Sequence, residues 1–237
     1  MRIASYNIRK AVGLDGSRDP GRVVTVINDL GADIVVLQEV DQRLGNRPST
    51  LPFDMIETHT DYQIANYATN DVSMGWHGNA ILFKKSASLS ETRRLSLPSF
   101  EPRGGVCARL TVGETPLTIV GVHLGLLRRW RRLQLQSIMR IPEIVEFANT
   151  LILGDFNEWS NRKGLEPIKQ DLSILTPGHS FHAAWPFMSL DKIAYGSGIK
   201  IRNAGVEQSP LACIASDHLP IWADIELEPA SAARACS

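Results

Sequence analysis

Two short strings at the borders of apolar runs constrain this chain most: Gly154-Asp155-Phe156-Asn157 and Ser216-Asp217-His218-Leu219-Pro220. The first follows Leu151-Ile152-Leu153, and the second precedes an alternating run from Ile221 to Leu227. Both therefore deliver acids, an amide or an imidazole to a strand end. Such a set can hold a hard divalent cation and handle protons beside it.

The rest of the chain has the material for a core around these ends. With 237 residues, 43% of them hydrophobic, it can bury one full core, whereas two domains would each be small. Lys plus Arg equals Asp plus Glu at 25 each, so no global field draws the chain to nucleic acid or anionic lipid, and any such attraction is local. Cys107, Cys213 and Cys236 are scattered and form no CxxC pair, which argues for reduced thiols and against a disulfide framework or a zinc site. Residues 1–8 read as a strand with no leader before it, and no apolar stretch approaches the roughly 18 residues of a membrane span. The expectation is a cytoplasmic protein with no transmembrane segment: one catalytic domain over 1–228, then a disordered tail over 229–237.

The punctuation predicts the elements. Ile3, Ser5 and Asn7 share one face of the first strand, with Ala4, Tyr6 and Ile8 on the other. Asp19 as N-cap, Pro20 at the first helical position and Gly31 as a stop bracket a helix with Val23, Ile27 and Leu30 on its apolar face. Ile34–Leu37 and Ala80–Phe83 read as strands, and Val106–Val112 and Leu117–Val122 as a hairpin around Gly113-Glu114. A helix over Arg128–Arg140 would bury a stripe of Trp130, Leu133, Ser137 and Ile141, and Pro142 either ends it or opens a short second helix. Strands outnumber helices, and both hairpins and crossovers occur. An α+β sandwich fits best.

Each polar strand end has a plain reading and a chemical one. Asp155 and Asn157, two apart, would project to one side of extended backbone, the carboxylate taking a proton from water and the amide orienting it; Gly-Asp-x-Asn is also ordinary turn chemistry. Glu39 follows four aliphatic residues and Gln38, a costly place for a carboxylate unless it is paired, metal-bound or solvated past the sheet. Asn7 is a weaker case, since a strand-end asparagine often just satisfies hydrogen bonds. A bend before Pro220 would turn Asp217 and His218 into one cleft, and Asp191 could orient the imidazole. His123 ends the run Thr118–Val122 as a second imidazole, and His77 beside Gly78-Asn79 could line the same cleft.

Taken in order, Asn7 in Ser-Tyr-Asn-Ile-Arg, Glu39 in Leu-Gln-Glu-Val, His123 in Val-His-Leu, Gly-Asp-Phe-Asn, Asp191 in Leu-Asp-Lys-Ile and Ser-Asp-His-Leu-Pro resemble the motif set of the endonuclease/exonuclease/phosphatase superfamily, the deoxyribonuclease I-like fold. The resemblance runs from about residue 3 to residue 227. It implies a four-layer αββα sandwich of two mixed sheets flanked by helices, with the site at one end of the sheets. It implies Mg²⁺ or Mn²⁺ held chiefly by Glu39 with Asn7 and Asp217 near it, Asp155 and Asn157 acting on the nucleophile, and an Asp191–His218 dyad. Histidine at 123, where exonuclease III-type repair enzymes carry tyrosine, is similar to the deoxyribonuclease I and sphingomyelinase branches. The stretch from Val122 to Gln134 is similar to small bacterial members found near cardiolipin-synthase-type enzymes.

Arg128, Arg131 and Arg132 fall at i, i+3 and i+4 just after His123, so on a helix they crowd one face. Either a phosphate-rich ligand offsets their repulsion through bidentate contacts, or they are a solvated face paired with distant acids. Arg103, and His77 with Asn79, are further candidate phosphate or substrate contacts. The reading is a divalent-metal-dependent phosphodiesterase acting by in-line water attack. Its partner is a phosphodiester (a phospholipid, a nucleotide or nucleic acid), with peripheral contact to a membrane surface. The rivals are a non-specific nuclease and a catalytically silent binding module, though the latter predicts a lost catalytic position and none is missing.

Overall fold

The computed structural model describes residues 1–144, 147–160 and 163–228; the tail expected at 229–237 lies outside the described residues. The chain opens with β1 (Arg2–Asn7), α1 (Pro20–Asp29), β2 (Ile34–Gln38), α2 (Phe53–His59), β3 (Tyr62–Ile64) and β4 (Ala80–Lys84). There follow β5 (Ala87–Ser96), β6 (Gly104–Val112), β7 (Thr115–His123), α3 (Arg128–Ile138) and β8 (Thr150–Asp155). It closes with β9 (Ser173–Leu175), β10 (Asp191–Tyr195), β11 (Ile199–Val206), α4 (Ala212–Ala215) and β12 (Ile221–Leu227).

The strands form two six-stranded sheets, ordered β11-β12-β1-β2-β4-β3 and β5-β6-β7-β8-β10-β9. Each sheet is mixed, with β1–β2 and β7–β8 parallel at the centres. The alternation read in β1 holds: Ile3 joins Ile34, Val36, Ile119, Leu151 and Ile193 between the sheets, while Ala4 and Tyr6 face outward onto Val23 and Ile27 of α1. On the far side, Val120, Val122 and Ile152 pack against Leu135 and Ile138 of α3. Helix, sheet, sheet and helix make the four layers expected. Burying a large aliphatic side chain stabilises by about 1.5–3 kcal/mol, so these three clusters hold the layers together.

Local signals were mostly sufficient. The Asp19 side chain accepts the Arg22 N–H at 3.0 Å, and Pro20 starts α1. The hairpin pairs Val112 with Thr115 across Gly113-Glu114. The buried stripe on α3 differs from the one expected. Arg131, Gln134, Leu135 and Ile138 face inward, and Leu133 is exposed. Gln134 Oε1 accepts the Gly125 N–H at 2.9 Å, and Arg131 reaches Glu158. Two polar side chains with fixed partners rotate the helix away from its most apolar stripe. The polar run Ala87–Ser96, not anticipated as a strand, is the edge strand β5, where alternation is not enforced by two buried faces.

The registers bring the polar strand ends together. Asn7 pairs with Gln38 across β1–β2, His123 with Asp155 across β7–β8, and Asp191 with Asp155 across β10–β8. Ser216–Pro220 leads into β12, whose Ile221 pairs with Ser5. All of these residues lie at one end of the sandwich.

Candidate active site

Asp155 is the centre of this end. It is buried, and its Oδ2 accepts the Asn7 Nδ2 amide at 3.1 Å; His123 Nε2 lies 3.3 Å and His218 Nε2 3.7 Å from the same oxygen. The neighbouring Gly154 makes this position available: it sits at φ +146°, and a Cβ there would fall 1.9 Å from the Val122 carbonyl oxygen. Only glycine lets β8 lie this close to β7.

Asn157 reaches the site differently from the sequence expectation. Extended backbone does not carry it there, because β8 ends at Asp155 and Asn157 adopts φ +49°. Its backbone N–H donates to Asp155 Oδ1 at 2.9 Å, and its Nδ2 donates to the Leu124 carbonyl at 2.9 Å. The side-chain-capped turn fixes the carboxylate's rotation and joins the loops after β7 and β8. Both readings of the motif are therefore realised together: the turn is what aims the acid.

Behind His218 stands Asp191, its Oδ2 2.8 Å from Nδ1, and the Ser180 hydroxyl donates to that same Oδ2 at 2.5 Å. The Phe181 ring closes the other side of the imidazole, centroid to centroid 4.9 Å. Burial by itself would lower the His218 pKa, but the Asp191 and Asp155 carboxylates outweigh it and raise the value to about 10. Burial raises Asp155 to about 6, Asp191 adding to the effect while His218 and the Asn157 N–H oppose it. Burial, reinforced by Arg103 and His218, pushes His123 well below the ordinary histidine value. Arg103 Nη1 stands 2.8 Å from His123 Nε2, so a guanidinium and the Asp155 carboxylate meet the same ring nitrogen.

The His218–Asp191 pair carries a pH prediction. A folded-state value raised to about 10 makes the imidazolium's contribution to stability complete below the unfolded value of about 6.5 and lost as pH rises through about 10. Asp191→Asn should bring the His218 ring titration well down, as read by NMR, and reduce the difference in unfolding stability between pH 6 and pH 10. An unchanged titration would remove Asp191 as the partner of the ring.

Beside this cluster opens a cleft lined by Lys10, Glu39, Arg43, Arg47, His77 and Arg103, with His123 at its wall. Glu39 stands just past the end of β2 at φ +58°, its carboxylate paired with the Lys10 ammonium and 3.7 Å from Arg43 Nη2. Gly78, at φ +79°, lies against the Glu39 backbone, where a Cβ would come within 3.4 Å. Lys10, Arg47, His77 and Asn157 are also in the left-handed region. That conformation costs roughly 1–2 kcal/mol per non-glycine residue, so strain is concentrated around this cleft. Asp217 faces Arg9 at 3.4 Å, and Ser216 Oγ donates to the Asn7 carbonyl at 2.7 Å, tying the two segments.

Two expectations change here. Asn79 is fully buried and donates its amide to the Gly104 carbonyl at 3.0 Å, so it braces the 76–79 turn from inside the fold rather than from the cleft surface. Arg128, Arg131 and Arg132 of α3 each meet an acid instead of standing as one unpaired face. Arg131 is 5% exposed, with Nη2 2.6 Å from Glu158 Oε2 and Nη1 on the Gly125 and Leu126 carbonyls. Arg128 also reaches Glu158, at 3.3 Å, and Arg132 lies 3.7 Å from Glu166. Acids beyond the helix offset their mutual repulsion. Lys10, Arg43, Arg47, Ser180 and Glu158 escaped the sequence reading. Lys10 and Glu158 sit within three residues of Asn7 and Asn157, and that proximity was the available signal.

The sequence matches the Endonuclease/Exonuclease/phosphatase family over residues 4–218. This chain belongs to that family. The endonuclease/exonuclease/phosphatase domain is 28% identical over 225 residues to the uncharacterized protein YbhP of Escherichia coli strain K12, spanning 85% of this chain and 86% of that protein. Its fold matches a functionally unknown conserved protein of Enterococcus faecalis V583 with a TM-score of 0.75 at 20% identity, over 96% of this chain and 100% of that one. It also matches the mannosyl-6-phosphatase Bt3783 of Bacteroides thetaiotaomicron VPI-5482, with a TM-score of 0.73 at 16% identity over 96% and 100% of the two chains. These structural likenesses are likenesses of fold. Members of the family are mostly phosphoester hydrolases and generally use divalent metals.

The donor chemistry here fits a hard cation. Glu39, Asn7 and Asp217 offer oxygens, and the two carboxylates already sit against cationic groups, Lys10 and Arg9. Among the described residues, no three acidic, histidine or cysteine side chains gather as a self-sufficient cage.

Proposed function

We propose that this endonuclease/exonuclease/phosphatase domain is a divalent-metal-dependent phosphodiesterase that hydrolyses its substrate by in-line attack of water. The observation that carries the reading is the convergence of Asn7, His123 and His218 on one oxygen of a buried Asp155, beside a cleft rimmed by Lys10, Arg43, Arg47 and Arg103. A Mg²⁺ or Mn²⁺ ion held by Glu39 with Asn7 and Asp217 would supply charge neutralisation at a phosphoryl oxygen, an effect of several kcal/mol.

The chain's own groups account for the rest. Asp155, with a pKa near 6, is a base matched to neutral pH and takes the proton of the attacking water. Asn157 and Asn7 hold its two oxygens in place. His218, kept protonated by Asp191, faces the reacting centre as a donor to developing negative charge. Arg103 brings a guanidinium to the neutral His123 and into the cleft, in reach of a phosphoryl oxygen. A fold shared with a mannosyl-6-phosphatase supports phosphoester chemistry at this sandwich end, and the substrate class is tested separately below.

The direct test is hydrolysis of bis(p-nitrophenyl) phosphate with added Mg²⁺ or Mn²⁺ against a chelator control, with p-nitrophenyl phosphate in parallel. Metal-dependent cleavage of the diester supports the reading; no cleavage of either, or cleavage of the monoester alone, overturns it. Glu39→Gln provides a check that does not depend on turnover. Removing one charge from a hard-cation site weakens its Coulomb attraction with little change of shape, so Mg²⁺ or Mn²⁺ affinity by calorimetry should fall about tenfold or more. Unchanged affinity in the folded variant would place the ion elsewhere.

A further inference from the structure

Five loops surround the reacting centre: 42–47, 97–103, 124–127, 156–160 and 178–190. Each is anchored to it. Arg43 and Arg47 of the first lie against Glu39 and His77, and Arg103 of the second against His123. The third begins at Leu124, whose carbonyl accepts from Asn157 of the fourth. In the fifth, Ser180 and Phe181 support Asp191 and His218. The Leu126 N–H, 3.5 Å from Glu101 Oε1, links the second and third loops.

The outward surface of these loops is apolar. Among the described residues, the seven most exposed large hydrophobic side chains all belong to them, at 58–85% exposure. Leu44 tips the first loop and Phe100 the second; Leu126 and Leu127 follow in the third. Trp159 stands out from the fourth, next to the buried Glu158, and Trp185 and Phe187 from the fifth. None is needed by the core, and a soluble monomer rarely gathers its apolar exposure at one end. The charge of the same loops is biased as well. They carry three arginines (Arg43, Arg47 and Arg103) against two acids, although the whole chain balances 25 with 25, and Arg128 and Arg129 open α3 directly after the third loop. Both acids are already paired: Glu101 with Arg103 at 3.1 Å, Glu158 with Arg131 and Arg128.

We infer that this collar docks the site end onto an anionic lipid surface, so that the cleft opens toward phosphoester headgroups. Apolar tips interleaved with arginine are what an interfacial contact requires: leucine and tryptophan enter the headgroup boundary while guanidinium groups meet the lipid phosphates. A single-stranded nucleic acid could stack on Phe100, Trp159, Trp185 and Phe187 but leaves Leu44, Leu126 and Leu127 without a role, whereas a headgroup boundary takes all seven. The contact expected from an α3 arginine face thereby becomes one led by the loops, in which only the first turn of α3 takes part. The inference rests on the phosphodiesterase reading only for the identity of what is cleaved; docking itself is independent of turnover.

The test is co-sedimentation of the full chain with vesicles of phosphatidylcholine alone and of phosphatidylcholine with phosphatidylglycerol, in chelator so that nothing is hydrolysed. Partition should be strong on the anionic vesicles and weak on the neutral ones, should fall with added salt, and should shift tryptophan emission to the blue. Trp185→Ser/Phe187→Ser and, separately, Phe100→Ser/Leu126→Ser should each reduce partition by at least about tenfold, given the apolar area removed from the interface. Each variant should hydrolyse bis(p-nitrophenyl) phosphate as the wild type does. Equal partition on both vesicle types, full partition in both variants, or binding of a labelled oligonucleotide with none to vesicles would overturn the inference. So would a dimer in light scattering that both variants abolish. Docking without diester cleavage would leave the collar standing and remove the proposed function; cleavage without docking would do the reverse.

Discussion

Asp155→Asn is expected to lower turnover of bis(p-nitrophenyl) phosphate by about 10²–10⁴-fold, the range for a positioned proton-transfer group. The substitution keeps the shape of the side chain, and an amide oxygen can still accept the Asn157 N–H that now ends on Oδ1. It removes the basic oxygen on which Asn7, His123 and His218 converge. Loss of the buried charge favours folding, whereas an amide nitrogen facing the Asn7 Nδ2 and the His218 ring opposes it, so the fold should persist with a modest fall in melting temperature. A large loss of rate in a variant that is still folded at the assay temperature therefore separates chemistry from folding. His218→Ala should also be strongly impaired, and the double variant should lose less than the product of the two, since both groups serve one transition state. Turnover by Asp155→Asn near that of the wild type would take the residue out of the reaction.

The second large effect concerns stability and falls on a residue that the sequence marks as a ligand contact. Arg131→Met should destabilise the fold by about 3–5 kcal/mol, because it leaves a buried carboxylate without its main counter-charge. Glu158 is 1% exposed, and Arg131 Nη2 is its nearest cation at 2.6 Å; Arg128, at 3.3 Å, is half in solvent. The Gly125 and Leu126 carbonyls lose their donor as well. For a chain of this length such a loss corresponds to a melting temperature lower by roughly 6–20 °C. Combining Arg131→Met with Glu158→Gln should recover part of it, since the stranded charge is then gone, and a double-mutant cycle in urea would measure the coupling. A loss under about 1 kcal/mol for Arg131→Met would mean that the pair is merely solvated surface.

Asp155 and Arg131 differ in how much of their role the amino-acid order reveals. Asn7, Glu39, His123, Asp155, Asp191 and His218 stand where apolar periodicity stops, so sequence alone marks them as polar groups at strand ends. The caps of α1 and the β6–β7 hairpin are equally local, because Asp19, Pro20 and Gly113-Glu114 act on their own backbone. These elements, with the ordered motifs, determined the αββα sandwich and the end at which its polar strand ends gather.

What only the tertiary structure decided depends on partners far apart in sequence. Arg131 reads as a cation on a helix face until Glu158, 27 positions on, is found folded against it. Asn79 reads as a cleft residue until the Gly104 carbonyl claims its amide. Asp155 and Asn157 converge through a turn rather than along a strand, because β8 ends at Asp155 itself. The apolar collar had no periodicity to reveal it: Leu44, Phe100, Leu126, Trp159 and Trp185 occupy separate loops, each unremarkable alone. Strand register is what gathers those loops at one end, and register is a property of the assembled sheets.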